Sequence, residues 1–332
     1  MTVSAAPAPS MHRRSTTLLG LALPLIILVS SAVLAWSWKD TLPDPVATHW
    51  GTDGVDGFGS LTGAIAVILV IGVLVTILLW AISFRTGKMS STRRMVNGLN
   101  VWTAVLLSTI LLGTLHAQKG LIDAADVGGV GGTIALGMAL ATVAGVLVAV
   151  VTPACAAAPA TDRVPADASR LPLGDGERAV WFQRPRGGVG LAVGFLAAAG
   201  TGVAAIATSD WWMLLVTASL VALMAAMFSW VARVDEAGLH VRSSLGVPRT
   251  HIPLDEILQA RATTVRCFRE FGGWGWRIGR DGRVGVVLRS GDALEVTRTG
   301  GGVFVVTVDD AQTGAALLNT LADRARATHP VE

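Results

Sequence analysis

Hydrophobic residues along the chain are concentrated in six uncharged stretches, each close to the length that a bilayer requires. A helix of about 20 apolar residues spans a hydrocarbon core of about 30 Å. Backbone groups inside lipid must satisfy their own hydrogen bonds, which favours helices. We therefore predict about six transmembrane helices, over residues 17–36, 61–84, 98–115, 127–151, 188–207 and 211–231.

The polar loops between these stretches predict how the chain crosses the membrane. Lys and Arg collect in the N-terminal tail and in the loops 85–97 and 152–187, whereas the loop 37–60 has one Lys against four Asp. Cationic short loops face the cytoplasm. The pattern predicts a multi-pass protein of the cell (plasma) membrane with both termini in the cytoplasm and the loop 37–60 outside. The first stretch is too long for a typical signal peptide and ends at Trp36, so we expect an uncleaved span.

The hydrophobic pattern changes after residue 232. Short runs of alternating apolar and polar residues follow, separated by turn residues, and a single stretch of helical periodicity starts after Asp309 or Asp310. Six or seven strands with one helix predict a small half-open β-barrel or sandwich. The predicted organisation is a cytoplasmic tail (1–16), a four-helix membrane domain (17–151) with its outer loop (37–60), a cytoplasmic linker (152–187), a transmembrane hairpin (188–232) and a cytoplasmic β domain (233–332).

Composition places the low charge of the chain in the helices. The chain of 332 residues is 52% hydrophobic and 15% charged, where a soluble domain carries about 25% charge. The last 100 residues nevertheless hold 13 Arg and 12 acids. A net charge of +3 fits cationic cytoplasmic loops better than a nucleic-acid surface, and the two cysteines form no metal-binding spacing.

Catalytic motifs are missing from the predicted spans. They hold no ionisable residue of the kind that proton-coupled transporters use, and the sequence has no HExxH or GxSxG motif. We therefore predict a protein that is not an enzyme, with no cofactor and no bound metal.

The outer loop carries the most distinctive motif of the sequence. His49 and Trp50 form a titratable and aromatic pair, while Asp53-Gly54 and Asp56-Gly57 predict two tight turns. Three roles are open for His49 and the two Asp: bonds that tie the loop together, recognition of a partner or ligand, and binding of a divalent metal, although the spacing is not that of an EF-hand. The candidate recognition residues are Leu42, Pro43, His49, Trp50, Asp53, Gly54, Asp56 and Gly57.

The same loop, placed between two transmembrane helices, resembles the membrane family of domain of unknown function 1648. That module also opens the sporulation-delaying-protein immunity family. The resemblance covers roughly residues 15–85 and includes Phe58 and Ser60 besides most of the residues named above. The sequence departs from it at Ala47, where many members have Pro, and at Leu61, where Lys or Arg is common. The resemblance implies a membrane protein of regulatory or immunity type.

The predicted β domain has an arginine-rich segment interleaved with aromatic residues. Its arginines could contact anionic lipid headgroups, or they could form a solvated face over an aromatic core. The layout of residues 188–328 resembles bacterial pleckstrin-homology-like domains behind a transmembrane hairpin, which implies interaction or scaffolding. The candidate lipid-facing residues are Arg261, Arg266, Arg269, Arg277, Arg280 and Arg283.

These features predict a non-enzymatic integral membrane protein in envelope signalling, regulation or toxin immunity. The alternatives are a transporter or permease component for an apolar solute, and an oligomeric membrane scaffold. The expected partners are the lipid bilayer, another membrane or envelope protein, and a second copy of the chain, but not nucleic acid.

Overall fold

A computed structural model describes residues 10–51, 54–86, 90–153, 158–174, 176–185, 187–209 and 211–328. The chain divides into two compact units. One, here the helical unit, contains Ala8–Cys155 and Ala204–Val216, and the other, here the β unit, contains Ala156–Val203 and Thr217–Glu332.

Long apolar helices dominate the first half of the chain. Among the described residues, five helices have the length and composition to cross a membrane, and the first of these is continuous through a π-helical turn at Leu18–Ala22. This confirms a polytopic helical membrane protein. The helices are α1 (Ser10–Thr17), α2 (Leu23–Ser37), α3 (Leu61–Thr86), α4 (Ser90–Ala117), α5 (Gly131–Val151), α6 (Val189–Thr208) and α7 (Met213–Phe228).

The sixth predicted span is shorter than the sequence suggested. Helix α7 has 16 residues, which is about 24 Å at about 1.5 Å per residue. The prediction extended this span to residue 231, but Trp230 already begins a strand, because its backbone pairs across to Ser243. The apolar run therefore contains the end of a helix and the start of a sheet.

The predicted loop 85–97 is also largely helical, because α4 starts at Ser90. Arg94 donates through Nε to the carbonyl of Thr152 at 2.9 Å, and Arg93, which is buried, donates through Nη2 to the carbonyl of Pro153 at 2.8 Å. Both carbonyls lie at the end of α5, where cationic side chains stabilise the exposed carbonyls of a helix. The two arginines thus join the start of α4 to the end of α5.

Two antiparallel or mixed sheets and a C-terminal helix build the β unit, as the alternating pattern predicted. One sheet has the order β3-β4-β5-β6, and the other has the order β7-β10-β11-β9-β8, in which β9 and β11 are parallel. Asp310 accepts from the amide of Thr313 at the start of α9, which confirms the predicted helix start. The elements are β3 (Trp181–Gln183), β4 (Trp230–Asp235), β5 (Gly238–Ser243), β6 (Arg249–Ile252), β7 (Ile257–Val265), α8 (Cys267–Phe271), β8 (Gly275–Ile278), β9 (Val284–Val287), β10 (Gly291–Arg298), β11 (Gly302–Thr307) and α9 (Ala311–Thr328); β1 and β2 belong to the helical unit.

The segment predicted as a linker packs against the β unit over much of its length. The amide of Leu171 donates to Thr320 of α9 at 3.0 Å, and Arg170 pairs with Asp323 at 2.9 Å. Trp181 in β3 is buried beside Gly314 of α9. Strand β3 precedes α6 in the sequence and β4 follows α7, yet the two strands pair in one sheet. We call residues 158–183 the strap.

Candidate functional site

The outer-loop motif folds into a β-hairpin of β1 (Val46–Gly51) and β2 (Gly54–Gly59). His49 lies opposite Gly57 in the strand register. A Cβ on Gly57 would lie 2.7 Å from the Cβ of His49, so the two strands can approach here only because residue 57 has no side chain. Asp56 and Gly57 lie inside β2 and do not form the second tight turn that the sequence predicted. Asp53 lies outside the described residues.

His49 and Asp56 form a pair on the exposed face of the hairpin. The ring Nδ1 of His49 is hydrogen-bonded to Oδ1 of Asp56, and both side chains are more than half exposed. Within the part of the chain that the structure describes, no cluster of three His, Cys, Asp or Glu could hold a metal ion. The pair therefore presents polar side chains to solvent at this position of the hairpin.

Gln118 fixes the hairpin to the end of α4. Its Oε1 accepts from the amide of Ala47 at 2.7 Å, and its Nε2 donates to the carbonyls of Ala47 at 3.1 Å and of Thr114 at 3.0 Å. The side chain is fully buried, and both ends of its amide are paired. Sequence analysis missed Gln118; the signal that could have revealed it is a lone amide directly after an apolar span.

Apolar contacts complete the attachment of the hairpin to the α4–α5 loop. Ala47, Ala124 and Val127 form a buried cluster, against which Trp50 packs. The indole Nε1 of Trp50 also donates to the carbonyl of Gly128 at 3.2 Å. The hairpin and the α4–α5 loop therefore form one structure, here the cap, made of residues 38–59 and 116–130.

The motif residues divide between the interior of the cap and its surface. Pro43 is buried, and Leu42 packs against a cluster that includes Ala35 and Leu115, so these positions hold the cap in place. His49 and Asp56 point outward. Two large apolar residues are exposed as well, Phe58 on β2 and Ile122 in the α4–α5 loop, and Ile122 is 99% exposed.

Aromatic contacts support the base of the cap. The ring of His116 lies 5.8 Å from that of Trp38, and the Nζ of Lys119 lies 4.7 Å from the centre of the Trp38 ring. Such a cation over an indole is favourable by about 0.5–1 kcal/mol at exposed sites. The amide of Gly120 donates to the carbonyl of Thr41 at 2.8 Å, so both chain segments of the cap are joined at its base.

The six predicted lipid-facing arginines of the β unit do not form one surface patch. Arg283 is hydrogen-bonded to Glu270, Asp281 and Glu295. Burial lowers its pKa, but these acidic partners outweigh burial and raise the pKa above its ordinary value. Arg261 pairs with the buried Glu295 at 2.5 Å.

The other four arginines of that set are exposed. Arg277 donates through Nε to the carbonyl of Trp274 at 2.7 Å. Arg266 and Arg269 flank the exposed Phe268 on α8, and Arg280 lies in the β8–β9 connection. The structure therefore separates Arg261 and Arg283, which both pair with the buried Glu295, from the other four arginines, although Arg261 is itself exposed.

A second cationic surface, which sequence analysis missed, covers the outer face of the four-stranded sheet. Arg242 on β5 stands directly opposite Arg249 on β6, and His240 stands opposite His251 with ring centres 4.1 Å apart. A shallow groove of about 390 Å³ crosses this face next to Arg233 and Asp235. Burial and the neighbouring His251 lower the pKa of His240 against the opposing effect of Asp235. Like charges in facing positions repel unless an anion neutralises them.

The β5–β6 loop at the edge of this face is tied to the end of α7. The amide of Ser244 donates to the carbonyl of Ser229 at 2.8 Å, and their hydroxyls are 2.6 Å apart. Ser229 directly follows the last residue of α7. Leu245 and Val247 in this loop are exposed, so apolar side chains surround the point where the chain leaves the helix.

Comparison with known proteins finds a family similarity in the region of the cap. Residues 25–73 match the family described as Domain of unknown function (DUF1648), and the match covers most of α2, the hairpin and the first half of α3. No curated protein and no solved structure matches the chain. Over residues 25–73, this multi-pass membrane protein is therefore similar to the DUF1648 family.

Proposed function

We propose that the protein is a non-enzymatic plasma-membrane protein that recognises an envelope partner through the cap and acts in envelope signalling or toxin immunity. Its termini lie in the cytoplasm, because the Lys and Arg of its short loops collect on that side. The cap then faces outward, where a secreted or envelope partner can reach it.

This proposal rests on the way the motif residues divide between the interior of the cap, which they stabilise, and its exposed surface. The cap is held by Gln118, Trp50 and buried apolar residues, and none of these needs the exposed His49–Asp56 pair. An exposed Ile122 beside polar side chains is typical of a contact surface, since burying an Ile is worth about 1.5–3 kcal/mol. A surface fixed before binding also loses little entropy on association.

Replacement of the exposed pair tests the proposal. A strain that lacks the gene shows the mutant phenotype, and expression of the wild-type chain in that strain restores the normal phenotype. The triple variant His49→Ala/Asp56→Ala/Ile122→Ser should insert into the membrane at the wild-type level but should not restore the normal phenotype. Thr48→Ala, an exposed neighbour on β1, should restore it fully. Full restoration by the triple variant would contradict a recognition role for the cap.

A second function is favoured by the β5–β6 loop, namely contact of the β unit with anionic lipid. Ser244 is bonded to the residue that follows α7, so Leu245 and Val247 lie where the chain leaves the bilayer. Arg242 and Arg249 flank the loop and are exposed. Apolar residues in the interface with cations beside them are the usual means of contact with anionic headgroups.

Hydrogen exchange of the full chain in nanodiscs tests the lipid contact. The amides of residues 244–247 and of Arg249 should exchange more slowly in nanodiscs that contain phosphatidylglycerol than in nanodiscs of phosphatidylcholine alone. Leu245→Ser/Val247→Ser should remove the difference. Val180→Ser, an exposed apolar residue beside β3, is the matched control and should preserve it. Equal exchange in both lipids would refute the contact.

A further inference from the structure

A row of polar side chains lies on the buried face of α4, inside the helical unit. Asn97 and Asn100 are each 1% exposed, and Ser108 is also buried. Asn97 and Ser108 are about 16 Å apart along the helix at about 1.5 Å per residue. We call this row, with Ser83 and Trp80 next to it, the α4 seam.

Asn100 has an amide oxygen without a partner. Its Nδ2 donates to the carbonyls of Gly20 at 2.7 Å and of Thr76 at 3.1 Å. Carbonyl oxygens only accept, so the nitrogen must face them and the orientation of the amide is fixed. Oδ1 then points elsewhere, is buried and accepts no hydrogen bond.

Asn97 has the complementary deficiency. Its Oδ1 accepts from the hydroxyl of Ser83 at 3.2 Å, whereas its Nδ2 is buried and has no acceptor. The indole Nε1 of Trp80 and the hydroxyl of Thr16 are buried without partners as well.

Gly20 lets these groups come together. It lies in the π-helical turn, a type of helix defect that is frequent at functional sites, and a Cβ there would lie 2.7 Å from Oδ1 of Asn97.

Other buried amides of the same chain are fully paired. Gln118 has three bonds in the cap, and Asn319 in the β unit accepts from the amide of Ala260 and donates to the carbonyls of Ala260 and Ser169. Buried polar groups in proteins almost always have a partner, which is ordered water where the protein supplies none. The unpaired atoms of Asn97 and Asn100 are therefore exceptions that require an explanation.

The chemistry of the unpaired atoms selects the occupant. The N–H groups of Asn97 and Trp80 would repel a bare cation, and the oxygen of Asn100 would repel an anion. A neutral molecule that both donates and accepts satisfies all of them, and water is the smallest such molecule.

The two ends of the seam differ. Toward the cap, Leu111 and Leu115 of α4 are packed with Ala32, Ala35 and Ile65 in an apolar cluster. Toward its start, α4 instead buries the polar residues Ser91, Thr92 and Arg93. The polar end of the seam is therefore the end where α4 begins.

We infer that the α4 seam binds a short chain of ordered water molecules, which is continuous with solvent at the start of α4 and ends below Leu111. Asn97 and Trp80 donate to this water, and Asn100 accepts from it. The helical unit therefore contains a hydrated region that stops at an apolar seal beneath the cap.

Hydrogen peroxide is a suitable probe because it is neutral, donates and accepts hydrogen bonds, and is close to water in size. It oxidises a cysteine only as the thiolate, which forms in contact with water and not in hydrocarbon. In the full chain with Cys155 and Cys267 replaced by Ser, single cysteines are introduced as Ala104→Cys and Ser108→Cys on the seam. The controls are Leu111→Cys in the seal and Leu99→Cys, whose side chain is exposed on the outside of α4.

Sulfenic acid is trapped with dimedone in membrane vesicles and measured by mass spectrometry. The two seam cysteines should react at least roughly tenfold faster than both controls, since only a hydrated thiol ionises. A seam cysteine that reacts as slowly as Leu99→Cys, or a Leu111→Cys variant that reacts as fast as the seam, would overturn the inference.

Radiolytic footprinting of the unsubstituted chain gives a second test that needs no variant. Hydroxyl radicals generated from bound water oxidise side chains beside it. Trp80 should be labelled, and an unlabelled Trp80 would show that the seam is dry.

Discussion

The cap and the two sheets of the β unit both lie outside the long apolar helices, yet they are stabilised in different ways. The cap has a buried cluster of three small residues and one buried side-chain amide, that of Gln118, which directly follows α4. The β unit has two sheets, a covering helix and buried ion pairs of its own. An isolated hairpin is at best marginally stable in water, so the cap depends on α4 whereas the β unit does not.

This difference bears on how a signal could be passed on. A partner that moves the hairpin acts on Gln118, and through it on the last turn of α4 at Thr114. The next turns of α4 contain Leu111 and then the α4 seam. Helix α4 therefore joins the proposed recognition surface to the interior of the helical unit.

The largest expected effect is on the β unit, where Glu256 and Arg298 form a buried ion pair. Glu256→Ala leaves a buried charge without its carboxylate, which should cost about 3–5 kcal/mol. Hydrogen exchange under mild denaturant should show faster exchange of the β7 and β10 amides, while the hairpin amides are unchanged.

The double variant Glu256→Leu/Arg298→Met is the control for that prediction. It replaces both charges with apolar groups of similar size and should recover most of the lost stability. A single variant that loses less than about 1 kcal/mol would show that the pair contributes little.

The next largest effect sharpens the dependence of the cap on α4. Gln118→Leu leaves the amide and carbonyl of Ala47 unpaired, at a cost of about 1–3 kcal/mol. The hairpin should exchange faster and the fluorescence of Trp50 should change, with the β unit unaffected.

Thr114→Val tests whether that effect is specific to Gln118. The Thr114 hydroxyl bonds only within its own helix, so this variant should leave the hairpin intact. Normal protection of the hairpin in Gln118→Leu would mean that the apolar cluster alone holds the cap.

A smaller effect concerns the pH dependence of the β unit. The pKa of His240 is lowered in the folded protein, so the unfolded chain binds more protons as the pH falls below about 6.5. Stability therefore decreases as the pH falls through this range. In His240→Gln, the free energy of unfolding should change less between pH 7 and pH 5.

The comparable replacement in the cap, His49→Gln, should leave the pH dependence of the β unit as it is. If His240→Gln retained the full wild-type loss of stability on acidification, another group would be responsible.

The smallest effect is expected for the exposed pair of the cap. Asp56→Asn should lower stability by about 0.2–1 kcal/mol, because exposed ion pairs contribute little. Thermal unfolding in detergent would measure it. A loss as large as that of Gln118→Leu would move His49 and Asp56 from the recognition surface to the structural part of the cap.

Local patterns predicted the elements of the fold well. The uncharged runs predicted the membrane helices, and the motif around His49 and Trp50 predicted a structured loop, because both signals lie within a few residues of sequence. The β unit followed from alternating residues with turn residues between them. The end of the sixth span was wrong at Trp230, because an apolar residue at the junction suits a helix and a strand equally well.

Features that depend on distant partners could not be predicted. The strap has no periodicity of its own, since Leu171 and Arg170 bind α9 about 150 residues later in the chain. Asn97 and Gln118 are single polar residues beside the predicted span 98–115, Asn100 lies within it, and their burial depends on other parts of the chain. The count of arginines in the β unit gave no sign that Glu295 neutralises two of them. Transport of an apolar solute and scaffolding stay predictions.

In the sequence, α6 and α7 separate β3 from the other strands of the four-stranded sheet, and this has a consequence for biosynthesis. Strand β3 leaves the ribosome before these helices, and its partner β4 leaves after them. The four-stranded sheet can form only after β4 has been synthesised and lies beside β3. Asn319 of α9, near the end of the chain, then joins Ser169 of the strap to Ala260 of β7. Because β3 pairs with β4, both ends of the α6–α7 segment must lie on one side of any membrane that these helices enter, and a chain in which the strands did not pair would expose Trp181.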